Sequence, residues 1–143
     1  MLQPIKISPL PEDLLLRLKS LGLTDRTKCY HNSIRALVQL AQSEPDIQYV
    51  VARVKHKDVQ NWEGHALLFV RGHYVDATLE VQGLIEQCEY QLIQSFSPQE
   101  TFSMLLEHGG EEYMRRLIDG RELWPNLCEI VPGKVGFDFD VRT

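Results

Sequence analysis

The chain is poor in cysteine, and its cysteines are not arranged as a disulfide framework or a metal-binding motif. Its 143 residues include only Cys29, Cys88 and Cys128, with no CxxC pair. An odd number of widely spaced cysteines is not typical of disulfide-stabilised secreted domains. We therefore predict that Cys88 and Cys128 are small apolar residues of the interior. Cys29 alone precedes a helical pattern.

The sequence also lacks the signals of several functional classes. No apolar run approaches the roughly 20 residues of a membrane span, and the N-terminus lacks the basic and apolar regions of a secretory signal. The net charge of -5 argues against a nucleic-acid binder, which normally has a basic face. No GxxxxGK[ST] phosphate loop is present. We expect a cytoplasmic protein without cofactor, membrane or nucleic-acid partner; the oligomeric state is not indicated.

Hydrophobic periodicity predicts one α+β domain over residues 1–143, without internal repeats or linkers. Helical patterns cover residues 11–21 and a segment from the N-cap residue Thr27 to about Gln42. Strand patterns cover residues 47–54, 65–70, 73–78 and 90–96. Ser97-Pro98-Gln99-Glu100 begins a later helix, and residues 111–118 form another. We expect the N-terminal helices to pack on a central antiparallel sheet, with additional C-terminal helices.

Two of these strands are predicted to form a hairpin that brings His65 close to Asp76. The turn Arg71-Gly72 is short, so residues whose numbers add up to about 143 should face each other. His65 then lies opposite position 78, and Asp76 is its diagonal neighbour on the same face. Such neighbours are roughly 7–8 Å apart at the backbone, which side chains can bridge.

Cys29, His65 and Asp76 are the residue types that a cysteine nucleophile requires. A free thiol with a pKa of about 8.5 is mostly protonated at neutral pH. A helix N-terminus contributes only about 0.3–1 kcal/mol toward its ionisation, less than one pKa unit. A histidine that forms a thiolate–imidazolium pair contributes more, and a carboxylate fixes the orientation of its ring.

The order and setting of these three residues resemble the transglutaminase-like proteins of the papain-like cysteine-protease superfamily. The resemblance covers residues 27–78, including the Tyr49-Val50-Val51-Ala52 strand that precedes the histidine. It implies that Cys29 is the nucleophile, His65 the base and Asp76 the orienting acid. Members of the superfamily cleave or transfer acyl groups at amide and ester bonds through a thioester and without a metal. The substrate would be a protein, a peptide or a small amide or ester.

The chain departs from the family pattern at the oxyanion hole. Leu23 stands where papain-like enzymes have a glutamine before the cysteine. The backbone N–H of Cys29 is therefore the default donor. Tyr30, Asn32 and Trp62 are candidates for the second donor or for substrate binding.

Two other interpretations stay open. A protein of this fold can lack activity and serve as a binding module, for example a phage or mobile-element protein that binds a host partner.

Cys29 and His31, together with His65, are also zinc-ligand types. However, Cys29 and His31 point about 200° apart on a helix, and no second close ligand pair is present. We therefore predict no metal site.

Overall fold

The computed structural model of the chain describes residues 2–25 and 29–107, without the side chains of residues 29–31. The elements in chain order are β1 (Gln3–Ile5), α1 (Glu12–Ser20), α2 (Cys29–Leu40), β2 (Gln48–His56), β3 (Glu63–Val70), β4 (His73–Val75), α3 (Ala77–Glu80), a 3-10 turn (Ile85–Gln87) and β5 (Cys88–Phe96). Residues 98–107 are helical and form α4. The predicted N-cap Thr27, Cys128, the helix over residues 111–118 and the C-terminal segment lie outside the described residues.

The N-terminal helices form where the sequence predicts them. α1 has the acidic residues Glu12 and Asp13 in its first turn, where they interact favourably with the helix dipole. The chain leaves α1 through Gly22, whose φ of 71° is readily adopted only by glycine. The two helices bury apolar side chains against one face of the sheet: Leu14, Leu18, Ile34, Leu37 and Leu40.

The sheet has five strands in the order β1-β5-β2-β3-β4, and all named strand pairs are antiparallel. The predicted α+β class and the packing of N-terminal helices on an antiparallel sheet are therefore confirmed. β2 and β5 were both predicted, and they pair with each other through a bulge between Val51 and Ala52. β1 was not predicted; its Pro4 is tolerated because β1 is an edge strand.

The hairpin of β3 and β4 has the predicted register. Leu68 pairs with Val75 and Phe69 with Tyr74, so the numbers in each pair add up to 143. Arg71 and Gly72 have φ values of 53° and 83°, the positive pair that a two-residue type I′ turn requires. The second strand was predicted to continue to Thr78, but β4 ends at Val75. The chain turns into α3 there because the Asp76 side chain accepts a hydrogen bond from Leu79 N and caps the new helix.

The sheet is strongly curled, and the N-terminal segment links its two edges. Ile5 pairs with Tyr90 of β5, whereas Ile7 bridges to Tyr74 of β4. Two residues span about 7 Å, whereas the edge strands of a flat five-stranded sheet lie about 19 Å apart. The edges therefore approach each other, and the N-terminal segment covers the face of the sheet opposite α1 and α2.

That second face holds its own apolar cluster. Val50, Ala52, Val54, Leu67 and Tyr90 are buried there, and Ile5, Ile7 and Leu79 pack against them. Because side chains alternate along a strand, His65 lies on the face of Leu67, with Ala52 as its partner on β2. The curl thus encloses His65 between the sheet and the segments that cover this face.

Candidate active site

His65 and Asp76 form a buried hydrogen-bonded pair. His65 Nε2 lies 2.7 Å from Asp76 Oδ2, and the two residues are 4% and 2% exposed. The hairpin register puts both side chains on one face, and the N-cap position of Asp76 turns its carboxyl group back toward β3. The structure thus brings together the two residues that the sequence predicted to meet.

Asp76 accepts hydrogen bonds from three donors. Besides His65, the Tyr90 hydroxyl donates to Oδ2 at 2.8 Å, and Leu79 N donates to Oδ1 at 3.2 Å. A carboxylate has acceptor sites only, so this arrangement fits an ionised Asp76 and a His65 that carries a proton on Nε2. In that tautomer Nδ1 is the nitrogen that can accept a proton.

The first turn of α2 is held next to the segment that carries Asp76. Asn32 is 3% exposed, and its Nδ2 donates to Thr78 Oγ1 at 3.2 Å and to the carbonyl of Asp25 at 2.8 Å. Thr78 is two residues beyond Asp76. Asn32 therefore joins the start of α2 to α3, the short helix that follows the hairpin.

Cys29 is the first described residue of α2, in agreement with its predicted place at a helix start. Its side chain lies outside the described residues. Cys29 precedes Asn32 by three residues, and Cβ atoms at this helical spacing are about 5–6 Å apart. Because Asn32 contacts Thr78, the first turn of α2, which includes the Cys29 backbone, lies near the segment that follows Asp76.

The three candidates for a second oxyanion donor have different surroundings. The Tyr30 side chain lies outside the described residues. Asn32 uses both amide hydrogens in the contacts to Asp25 and Thr78, so a role in an oxyanion hole would require breaking one of them. Trp62 stacks against the guanidinium of Arg53, 4.4 Å from the ring centroid.

Trp62 also lines a groove of about 630 Å³ on the covered face of the sheet. Ile5, Ile7, Cys88 and Tyr90 contribute to its walls, and among the described residues His65 and Asp76 do not. Tyr90 lines the groove and also contacts Asp76 through its hydroxyl. The groove and the buried pair are therefore connected through Tyr90.

Cys88 is a second thiol on this face. It is half-buried at the start of β5. Burial raises the pKa of its thiol, and the Asp76 carboxylate raises it further, while His65 partly offsets the effect. Cys88 is thus electrostatically coupled to the pair, but its environment disfavours the thiolate.

Two further properties of the described residues concern metals and membranes. Among the side chains of residues 2–25 and 32–107, no group of three or more His, Cys, Asp or Glu is placed to hold a metal ion; the Cys29 and His31 side chains lie outside this set. No helix in the same part of the chain is both long and apolar enough to cross a membrane.

Comparisons with known proteins give no match. No protein-family model, curated protein or solved structure is significantly similar to this chain. The interpretation of the site therefore depends on its own geometry.

Sequence reasoning missed Tyr90, which it assigned only to a strand. The contact between Tyr90 and Asp76 depends on the pairing of β5 with β2, and no short motif encodes that register. One signal was available: a tyrosine in an otherwise buried strand position usually finds a hydrogen-bond partner for its hydroxyl.

Proposed function

We propose that this chain is a cytoplasmic, cysteine-dependent hydrolase or acyltransferase that acts on an amide or ester bond and has a transglutaminase-like core. The observation that carries the proposal is the buried pair of His65 and Asp76, with Nε2 and Oδ2 2.7 Å apart. A buried histidine whose Nε2 is bound to a carboxylate has a fixed ring and a defined basic nitrogen. This is the arrangement that activates a thiol nucleophile.

The start of α2 supports Cys29 as that nucleophile. Asn32 connects the first turn of this helix to Thr78, close in sequence to Asp76. Cys29, one turn earlier, would have the N-terminal end of the helix dipole to stabilise a thiolate. The proposal also requires the His65 imidazole, which lies on the sheet face opposite α2, to reach Cys29 past the N-terminal end of β3.

In the proposed mechanism, His65 Nδ1 takes the proton from the Cys29 thiol, and the thiolate attacks the carbonyl carbon of the substrate. The carbonyl oxygen becomes an oxyanion, which the backbone N–H of Cys29 stabilises. The C–N or C–O bond then breaks, the imidazolium protonates the leaving group, and a thioester remains. Water or an amine then attacks the thioester carbonyl while His65 takes a proton from it. The C–S bond breaks, and the imidazolium returns its proton to the Cys29 thiolate.

Acylation by an activated ester tests this proposal. We expect p-nitrophenyl acetate to acetylate the wild-type chain once, at Cys29, in a bond that hydroxylamine cleaves. Because His65 acts as the base, His65→Ala should slow this acylation by about 10²-fold or more. The readout is intact mass followed by mass spectrometry of peptides.

Two matched variants make the assignment specific. Cys29→Ala should lose the acetyl group while keeping the same denaturant midpoint, and Cys88→Ala should still be acetylated. Acetylation of Cys88, or acetylation of Cys29 at the wild-type rate in His65→Ala, contradicts the proposal.

A catalytically idle binding module is the second candidate. The small exposure of His65 favours it, as does a groove to which His65 and Asp76 do not contribute among the described residues. Under this alternative the pair is structural. Cys29 would then react no faster than a cysteine in the urea-unfolded chain.

A further inference from the structure

The Asp76 carboxylate is shared by two side chains from different strands. His65 of β3 and Tyr90 of β5 both contact Oδ2, at 2.7 Å and 2.8 Å. Tyr90 is 3% exposed, and its ring centroid lies 6.1 Å from that of His65. The two donors thus converge on one oxygen in an interior from which water is largely excluded.

We propose that Tyr90 is a positioning residue for the reaction: its hydroxyl fixes the carboxylate of Asp76 so that Oδ2 holds the His65 ring in the tautomer with a basic Nδ1. The role rests on the proposed function, because it matters only if His65 takes a proton. Tyr90 acts through Asp76 and needs no contact with the reacting atoms.

Geometry explains why the Asp76 carboxyl group needs Tyr90 as a third donor. The only other described contact to its carboxyl group comes from Leu79 N, which binds the opposite oxygen at 3.2 Å. Leu79 N and His65 alone would hold one oxygen each. The short hydrogen bond from Tyr90 adds a third direction and fixes the rotation of the carboxyl plane.

Charge leads to the same role. A carboxylate stabilises an imidazolium most strongly when its oxygen is held at hydrogen-bond distance from the ring. Without the Tyr90 hydroxyl, Asp76 Oδ2 is held less firmly beside His65 Nε2. With Tyr90 in place, the thiolate–imidazolium pair should therefore persist to lower pH than without it.

The titratable groups around Asp76 are few among the described residues. His65 on β3, and Tyr90 and Cys88 on β5, lie close enough to interact with it. On α3, Glu80 is engaged elsewhere, because its Oε1 accepts from Leu10 N at 2.8 Å.

The test is the pH dependence of Cys29 alkylation by iodoacetamide in the full-length chain. We compare the wild type with Tyr90→Phe, which removes only the hydroxyl group. One lost hydrogen bond should move the acid limb of the profile upward by about half a pH unit to one unit. At a fixed mildly acidic pH, Cys29 should then react about 3- to 10-fold more slowly.

Tyr74→Phe is the matched control. Tyr74 packs in the same apolar cluster, and its ring makes an edge contact with Phe69. Its hydroxyl makes no hydrogen bond in the described structure, so this variant should keep the wild-type profile.

The possible results separate the two proposals. A wild-type profile in Tyr90→Phe overturns the positioning role, and so do equal shifts in Tyr90→Phe and Tyr74→Phe, since packing would then be the cause. If Cys29 of the wild type titrates as an ordinary thiol, the proposed function fails and this role fails with it. A shift in Tyr90→Phe alone supports both.

Discussion

Asn32 Nδ2 lies 3.2 Å from Thr78 Oγ1, a contact between residues 46 positions apart in the chain. It joins the first turn of α2 to the segment that follows Asp76. Since Cys29 begins α2 and Asp76 binds His65, this hydrogen bond connects the two halves of the proposed catalytic unit.

Asn32→Ala is therefore expected to reduce both stability and thiol reactivity. It removes the donor from the Asp25 carbonyl and from the Thr78 hydroxyl, so the free energy of unfolding should fall by about 1–3 kcal/mol. Cys29 should also react more slowly with iodoacetamide, because the helix start is less well anchored. Urea unfolding and alkylation rates measure the two effects.

Ser33→Ala is the control for this prediction. Ser33 is the next residue of α2 and is 6% exposed, but its hydroxyl makes no hydrogen bond in the described part of the chain. Equal losses in the two variants would assign the effect to packing of the helix and contradict the role of Asn32.

Asp76→Asn should impair the site while preserving the size of the side chain. An amide cannot accept from Tyr90, His65 and Leu79 together, because one of its two polar atoms is a donor. We expect the rate of Cys29 acylation to fall by about 10²- to 10⁴-fold. Stability in urea should fall by about 1–3 kcal/mol.

The exposed residue Asp58 provides the comparison for Asp76. Asp58→Asn should change neither acylation nor the urea midpoint. An Asp76→Asn variant that acylates at the wild-type rate would show that the carboxylate does not orient a catalytic histidine.

Arg71 links the hairpin turn to α1 and to the loop after α2. Its guanidinium donates two hydrogen bonds to Glu44 and two to Asp13, at 2.9–3.1 Å. Arg71→Asn should lower the denaturant midpoint, whereas the positive φ at this position is tolerated by asparagine. Glu44→Gln should cost more stability than Asp13→Asn, because Glu44 is buried.

The stability that the ion pair of Arg71 and Asp13 contributes should depend on pH in a defined direction. Arg71 lowers the pKa of the Asp13 carboxyl from its ordinary 3.8. The stabilisation is therefore present above pH 3.8 and is lost as the pH falls through the lowered value. Arg71→Asn and Asp13→Asn should both flatten this part of the stability curve. An unchanged curve in both variants would mean that the ion pair contributes nothing in solution.

Cys88 should be the slower of the two thiols that bear on the site. Burial and the Asp76 carboxylate raise the pKa of Cys88 above its ordinary 9.0, so its alkylation rate should still be rising above that pH. Asp76→Asn should lower this pKa, because it removes a negative charge. Mass spectrometry of alkylated peptides gives both rates. If Cys88 reacts at neutral pH as fast as Cys29, it becomes a rival nucleophile.

Local signals explain why so much of the fold was predictable. The turn Arg71-Gly72 fixed the hairpin register, and with it the meeting of His65 and Asp76. Ser97 and Glu100 form the capping box expected at the start of α4, with reciprocal hydrogen bonds of 2.8 Å and 3.0 Å. In both cases the local backbone conformation is determined by a few residues that are neighbours in the sequence.

Long-range pairing explains what could not be predicted. The contacts of Tyr90 with Asp76 and of Asn32 with Thr78 arise only after the sheet curls and α2 packs on it. The early end of β4 has a local cause, the capping of α3 by Asp76, which competes with continuation of the strand. The nucleophile, substrate class and cytoplasmic location of the chain stay predictions.

The most direct test of the central claim is an ultraviolet thiolate titration of Cys29, taken as the difference between the wild-type chain and Cys29→Ala and repeated in a His65→Ala background. A pair of Cys29 and His65 predicts that the thiolate forms well below the ordinary pKa of about 8.5 and that His65→Ala returns the titration toward that value. A Cys29 that titrates at or above 8.5 in both backgrounds would contradict the account.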